Sequence, residues 1–255
     1  MNINKKNPCI IVQARTGSKR FPKKMLKKIG NKTVLEIILS RLKQCTKVKS
    51  VILATTNKKQ DIKLTKIAKK LNVKFYCGNE NDLVDRFYHA ALAFNVDPII
   101  RFPGDNLFPC PKEIDKIISH YQKKKKNNRK IFCSNIENFF NSNYPTGIGA
   151  EVFSFKILED IYINEKSKFK REHVHKNFIN YLSGKPIDLK KCKISTIKAP
   201  KKLRYPKIVL HIDYKKEYEE LKEVFLHFNK VNISIEKVLK YIDKNKNEFK
   251  YLYNC

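Results

Sequence analysis

Short apolar runs alternate along this chain with segments whose apolar positions recur every three to four residues. Residues 9–13, 50–54, 73–76, 98–102, 131–134, 150–155 and 208–212 have the length and character of buried strands. Helical spacing fills 34–44, 61–71, 82–94 and 114–124. In the first of these Val34, Leu35, Ile38, Leu39 and Leu42 fall on one face. Thr33-Val-Leu-Glu36 has the spacing of a capping box, which marks that helix's start. The first half therefore reads as strand and helix in regular alternation. That pattern predicts an α/β protein with a mostly parallel central sheet covered by helices on both faces. Ligands of such sheets bind outside the carboxyl ends of the strands.

The second half is less regular. Residues 123–128 form a solvated charge run, read as a loop tip. A helix-like patch over 172–182 is followed by Gly184, Pro186, Pro200 and Pro206, so 166–206 is expected to be an arm on a single domain spanning 1–255. Helices over 215–229 and 234–249 close the chain, and no internal repeat is visible.

Composition narrows the class. Hydrophobic residues make up 42% of 255, enough for a core. No apolar run approaches the ~18 residues of a membrane span, and the first residues lack a secretory signal, so the cytoplasm is expected. Seven cysteines, an odd count without a Cys-x-x-Cys pair, read as reduced thiols rather than a disulfide framework or zinc site. The net charge of +31 arises from lysine spread over the whole chain. It attracts polyanions and steers anionic substrates, but it does not predict a specific nucleic-acid partner.

The strongest chemical signal follows the first strand. The connection 14–32 holds Gly17, Ser18 and Pro22 among Arg15, Lys19, Arg20, Lys23, Lys24, Lys27 and Lys28. Backbone N–H groups of a Gly-Ser turn and side-chain cations facing one anion make a polyphosphate cradle; a solvated basic loop is the alternative. Asp105 follows a buried strand, and Gly104 allows a tight turn that brings backbone close to a ligand. A carboxylate there is a natural Mg²⁺ ligand facing a triphosphate, or else a turn cap. Asp213 repeats the situation, as a second metal ligand or a helix N-cap. Residues 171–175 gather Arg171, Glu172, His173 and His175; on a helix Arg171 and Glu172 would each share a face with His175. His-Glu-x-x-His spacing, a Walker lysine motif, a Gly-x-Ser-x-Gly elbow and a Rossmann glycine pattern are all absent.

Ala14-Arg-Thr-Gly-Ser-Lys-Arg20-Phe-Pro-Lys-Lys24-Met-Leu26 resembles the Ala-Arg-x-Gly-Ser-x-Arg-Leu-Pro-Gly-Lys-x-Leu signature of the cytidylyltransferase superfamily, which includes CMP-sialate and CMP-3-deoxy-manno-octulosonate synthetases. It is most similar to the branch of spore-coat polysaccharide biosynthesis proteins. Ala54-Thr-Thr56, Gly78-Asn-Glu-Asn-Asp82-Leu-Val-Asp85-Arg86-Phe, Arg101-Phe-Pro-Gly-Asp105, Tyr144-Pro-Thr-Gly147, Glu151-Val-Phe-Ser154, Arg171-Glu-His-Val174 and Asp213 have counterparts there, in order. Three positions depart from the pattern. Lys23 stands where the family has Gly, Gly149-Ala150 replaces an acidic-plus-apolar pair, and Val209-Leu-His-Ile-Asp213 loses an arginine.

The resemblance implies a GT-A-like fold and transfer of CMP from CTP to an acidic sugar or phosphorylated acceptor, with release of pyrophosphate and dependence on Mg²⁺. It implies catalytic roles for Arg15, Lys24 and Asp105. Nucleotide binding would fall to Ala14, Arg15, Gly17, Ser18, Arg20, Lys24, Thr55, Asp82, Arg86 and Gly104, although Asp85 and Arg86 are equally a structural ion pair. Glu151, Arg171, Glu172 and His173 would face the acceptor, and Asp105 with Asp213 would hold the metal. A homodimer through 166–206 is also implied. Two rival classes are a glycosyltransferase on a similar sheet and a basic RNA-binding protein. The first needs an Asp-x-Asp motif, but Pro103 and Leu107 stand two positions either side of Asp105. The second needs exposed aromatics interleaved with cations, whereas Phe and Tyr here fall mostly in core-like runs.

Overall fold

The computed structural model describes residues 6–125, 130–136, 141–180, 185–186 and 192–253. The chain opens with β1 (Asn7–Gln13) and two short strands, β2 (Lys28–Ile29) and β3 (Lys32–Thr33), that pair with each other. α1 (Val34–Leu42), β4 (Ser50–Thr56), α2 (Ile62–Lys70), β5 (Lys74–Gly78), α3 (Leu83–Ala93), β6 (Val96–Pro103) and α4 (Pro111–Lys124) follow in alternation. Then come β7 (Ile131–Ser134), β8 (Glu151–Phe153), α5 (Phe155–Asn164) and α6 (Lys168–Glu172). The pair β9 (Ile179–Asn180) and β10 (Lys185–Pro186), β11 (Lys193–Ser195), α7 (Lys215–Phe228) and α8 (Ile235–Lys244) complete the order.

Seven strands form the central sheet in the order β11-β7-β8-β6-β1-β4-β5. All neighbours run parallel except β8, which is antiparallel to both β6 and β7. The alternation along β1 explains the two layers. Ile10 and Val12 face a core built with α1, α2, α4, α7 and α8, while Cys9 and Ile11 face another built with α3 and α5. α1 begins at the expected capping box: Glu36 N–H donates to Thr33 Oγ1 at 3.2 Å, and Thr33 N–H donates to Glu36 Oε2 at 2.7 Å.

The order β5-β4-β1-β6 reverses direction at β1, so the loops after β1 and β6 flank a crevice at the carboxyl edge. Gly104 makes that junction close. A Cβ placed on it would lie 2.2 Å from the Gln13 carbonyl oxygen. The close approach expected of Gly104 is therefore to the end of β1, and it sets the position of the next residue, Asp105.

Three expected elements differ. Residues 208–212 make only single bridges, Ile208 to Tyr253, Val209 to Thr146 and His211 to Asn106. This apolar run is clamped between loops and the C-terminal segment instead of joining the sheet. Residues 172–182 do not form one helix. α6 stops at Glu172, a 3-10 turn spans Val174–Asn177, and β9 follows; residues 181 and 182 lie outside the described residues, as do 126–128 of the charge run. The closing helix ends at Lys244, earlier than residue 249. The segment 166–206 also contributes β11, an edge strand of the central sheet.

Gly104→Ala is expected to lower stability by about 1–3 kcal/mol, because a methyl group has no space against backbone. Urea unfolding of the purified variant measures this, and an unchanged midpoint would contradict the packing.

Candidate active site

The cationic loop is pinned rather than free. Asp61, fully buried just before α2, accepts from Thr16 N–H at 2.7 Å and Thr16 Oγ1 at 2.6 Å on one oxygen, and from Thr56 Oγ1 on the other. Lys23 N–H donates to the Thr16 carbonyl at 3.0 Å and closes the loop's base. Lys23 takes a left-handed backbone (φ 57°) that glycine adopts without steric cost, which accounts for glycine at this position in the resembled signature. Phe21 and Met25 are buried and anchor the loop to the core.

Anchoring brings Lys24 to the centre of a charge cluster. Its ammonium donates to the Ile212 carbonyl at 2.6 Å and to Asp105 Oδ2 at 3.0 Å, and lies 3.7 Å from Asp213 Oδ1. Arg20 Nη2 donates to the same Asp213 oxygen at 2.7 Å. Burial opposes charge on Asp105, but the Lys24 ammonium outweighs it and holds the carboxyl below its ordinary value. Asp213 is not a helix cap: Tyr214 holds the N-cap position of α7.

Arg20, Lys24 and Asp105 of this cluster line a cavity of about 320 Å³ together with Ala14, Arg15, Ser18, Arg86, Gly104, Glu172 and His173, while Asp213 stands behind Lys24 and Arg20 and is not among the lining residues. Arg15 donates to the Glu80 carbonyl at 3.2 Å and lies 3.6 Å from Glu172 Oε1. Burial, with Lys176 nearby, lowers the His173 pKa and favours the neutral imidazole. Gln13, Lys19, Glu80 and Leu83 line the cavity too. Glu80 lies inside a segment that the family resemblance covers, yet no charge or motif argument singles it out. Gln13 ends an apolar run and reads there as mere strand.

Other expected residues stand elsewhere. Glu151 is buried in an ion pair with Arg101 Nη1 at 2.7 Å, and burial raises its pKa. Arg101 Nε in turn donates to Gln13 Oε1 at 3.1 Å, so Glu151 supports the cavity from behind. Arg171 donates to Asp82 at 2.6 Å and to the Tyr162 and Glu165 carbonyls, and Asp82 caps α3. Arg171 and Asp82 thus lock α6 to α3 and are not cavity-lining. Thr55 is fully buried within β4. Gly17 packs beside Glu80, where a Cβ would lie 3.3 Å from Oε1. Asp85 pairs with His89 at 3.3 Å, so the Asp85–Arg86 ion pair is not formed.

The donor set fits Mg²⁺. Asp105 and Asp213 offer hard carboxylate oxygens that meet on one ammonium, and among the described residues no group of three or more His, Cys, Asp or Glu converges on a point. A cation that keeps waters and phosphate oxygens beside one or two carboxylates suits such a site. Softer metals that need several nitrogen or sulfur ligands do not.

Asp61→Ala is expected to cost about 3 kcal/mol, since three buried donors lose their acceptor, with equilibrium unfolding as the measurement. His175, largely buried in the 3-10 turn after α6, has a pKa lowered to about 2 by burial and by Arg101. The unfolded chain therefore binds a proton below the ordinary value of 6.5 that the folded chain does not, so stability is lost as pH falls through that value. Between pH 7 and 5, His175→Gln is expected to lose about 1–2 kcal/mol less than the wild type. Equal losses in both would refute this.

The chain is similar to known proteins along most of its length. A family model described as cytidylyltransferase matches residues 9–254. An uncharacterised protein of Methanocaldococcus jannaschii is 35% identical over 92% of this chain and 90% of its own. The spore coat polysaccharide biosynthesis protein SpsF of Bacillus subtilis is 29% identical over 84% of this chain and 85% of its own. A solved cytidylyltransferase from Leptospira borgpetersenii superposes with a TM-score of 0.80 at 28% identity, covering 96% of each chain. A CMP:2-keto-3-deoxy-manno-octonic acid synthetase solved with CTP shares the fold at a TM-score of 0.56 and 14% identity, over 86% of this chain and 99% of its own. With fold, crevice and signature loop in agreement, the chain belongs to the cytidylyltransferase family.

Proposed function

We propose that this enzyme is a Mg²⁺-dependent cytidylyltransferase that transfers CMP from CTP to an acidic sugar or phosphorylated acceptor, releases pyrophosphate, and supplies a surface-polysaccharide precursor. The observation that carries this reading is Lys24 of the cationic loop, joined to Asp105 and Asp213 beside a cavity that Arg15, Ser18 and Arg20 of the same loop also line. The names of two relatives lend support. One is a spore coat polysaccharide biosynthesis protein, and another, of like fold, was solved with CTP.

In this reading the backbone of Ala14 and Gly17, with Ser18, Arg15, Arg20 and Lys24, holds the triphosphate. Arginine supplies bidentate geometry and lysine a point charge. Asp105 and Asp213 would hold Mg²⁺, which when bound neutralises phosphate charge and favours the ionised attacking oxygen. Glu172 and His173 face the acceptor; Glu151, Arg101 and Arg171 fix the surrounding wall. Catalysis then consists of in-line positioning and stabilisation of charge developing on the leaving pyrophosphate, chiefly by Arg15 and Lys24. No helix among the described residues is long and apolar enough to cross a membrane, which suits the cytoplasmic location included in the proposal. Assembly as a homodimer through residues 166–206 belongs to it as well.

The test is pyrophosphate release from nucleoside triphosphates across a panel of sugar acids and phosphorylated sugars. Lys24→Ala and Asp105→Asn are each expected to reduce turnover on the order of 10²-fold or more. Wild-type Mg²⁺-dependent release by Asp105→Asn would overturn the metal assignment.

A further inference from the structure

α4 presents a buried face and a cationic one. Glu113, Ile114, Ile117, Ile118 and Tyr121 are buried. Lys112, Lys116, Ser119, His120 and Lys123 recur at the spacing of the opposite face and, with Lys47 and Lys198, line a depression of about 470 Å³. It shares no lining residue with the crevice. Five ammoniums thus surround one carboxylate, which is committed to the backbone. Asp115 accepts from Thr46 N–H at 2.9 Å, Thr46 Oγ1 at 2.8 Å and Lys47 N–H at 3.0 Å, and so ties the loop after α1 to α4. Lys116 has Glu113 at 2.6 Å, and Lys198 donates to the Asn141 carbonyl at 2.7 Å. Lys47, Lys112 and Lys123 have no carboxylate within ion-pair distance among the described residues.

This arrangement works against the helix that carries it. Lys112 is the second residue of α4, where the positive end of the helix dipole disfavours a cation. Lys112 and Lys116 are like charges one turn apart, which destabilises a helix. His120 meets Ser195 Oγ of β11 at 2.7 Å; burial and the Lys124 and Lys123 ammoniums lower its pKa, so the excess charge is felt inside the groove. The lining also selects the kind of anion. Lys112 and Lys123 are about 16 Å apart along the axis of α4, too far for one phosphate or carboxylate to reach both. No aromatic face is offered for a base to stack on, because Tyr144 is fully buried with its hydroxyl on Glu113. Ile197, half-buried, is too little apolar surface for the core of a protein interface.

We infer that this groove holds a linear polyanion without bases, a phosphorylated or carboxylated chain whose successive charges meet Lys47, Lys112, Lys116, Lys123 and Lys198. Such a chain supplies the acceptors that the uncompensated lysines lack and offsets the charge at the start of α4. Lysine dispersed over the rest of the surface attracts any polyanion weakly and at no fixed place. Lysine gathered in one groove attracts it at that groove, and this difference is what separates the two experimentally. The inference stands on α4 and its neighbours and does not depend on the transfer reading of the crevice.

Calorimetric titration with long-chain inorganic polyphosphate, with polygalacturonate and with an oligodeoxythymidylate of equal charge tests it over a range of salt concentrations. The proteins are the wild type, a groove variant carrying Lys112→Gln, Lys116→Gln and Lys123→Gln, and a control carrying Lys237→Gln, Lys244→Gln and Lys246→Gln. The control loses the same charge from exposed positions in and after α8. The wild type is expected to bind at least one of the first two chains, and the tighter of them identifies phosphate or carboxylate as the source. The groove variant should weaken that binding at least about tenfold and lower the slope of log K against log salt by about 2; the control should change affinity less than about threefold. The groove variant should melt at the wild-type temperature or above it, because unfavourable charge has been removed from α4. Equal losses in the two variants would reduce the binding to dispersed charge and overturn the inference, as would a wild type that binds neither chain. A groove variant that melts lower would make these lysines structural and overturn it too. Oligonucleotide binding as tight as that of the better chain, and lost with the groove lysines, would overturn the exclusion of bases.

Discussion

One ammonium group holds three distant pieces of this chain together. Lys24, in the loop after β1, meets Asp105 after β6, Asp213 before α7 and the carbonyl of Ile212. Its side chain is only 11% exposed, so each contact acts at lower effective dielectric than on the surface. The two carboxylates are tolerable as near neighbours because a cation lies between them. The lysine is tolerable out of water because it has three oxygens within reach. Charge at the crevice is therefore a mutual arrangement of loop, sheet and C-terminal segment, and none of the three has it alone.

The fold brings the pieces into register by steric means. Reversal of strand order at β1 opens the crevice, and the absence of a side chain on Gly104 lets the β6 turn sit directly on the end of β1. Asp61 does for the loop what the sheet does for Asp105: it turns a long connection into a structured edge through Thr16 and Thr56. A loop held this way loses less entropy when it closes on a ligand, which is how preorganisation improves both binding and rate. Behind the cavity the buried Glu151–Arg101 pair fixes Gln13.

Much of this was legible in the sequence, for identifiable reasons. Alternating periods of strand and helix survive in any α/β sheet, and Thr33-x-x-Glu36 is a local signal that forms whatever the distant packing. The carboxylates Asp105 and Asp213 were visible because each follows an apolar run. What escaped notice depends on contacts between distant residues. Asp61 reads as an ordinary helix start, yet its carboxylate turns inward to Thr16. Glu151 is expected from the resemblance to face the acceptor, but its partner Arg101 lies on the neighbouring strand and takes it out of the cavity. Residues 208–212 have strand composition, yet their bridges go to Tyr253, Thr146 and Asn106, outside the sheet. The 172–182 patch has helical residues, yet the chain breaks at His173 into a tight turn that buries Val174 and Phe178.

A crystal structure of the protein with CTP and Mg²⁺ examines the central claim most directly. The account predicts the triphosphate against Ser18, Arg20 and Lys24, with a metal ion about 2.1 Å from carboxylate oxygens of both Asp105 and Asp213. Triphosphate found instead in the lysine-rich depression around Lys47, Lys112 and Lys116, with the two aspartates still closed on Lys24, would contradict it.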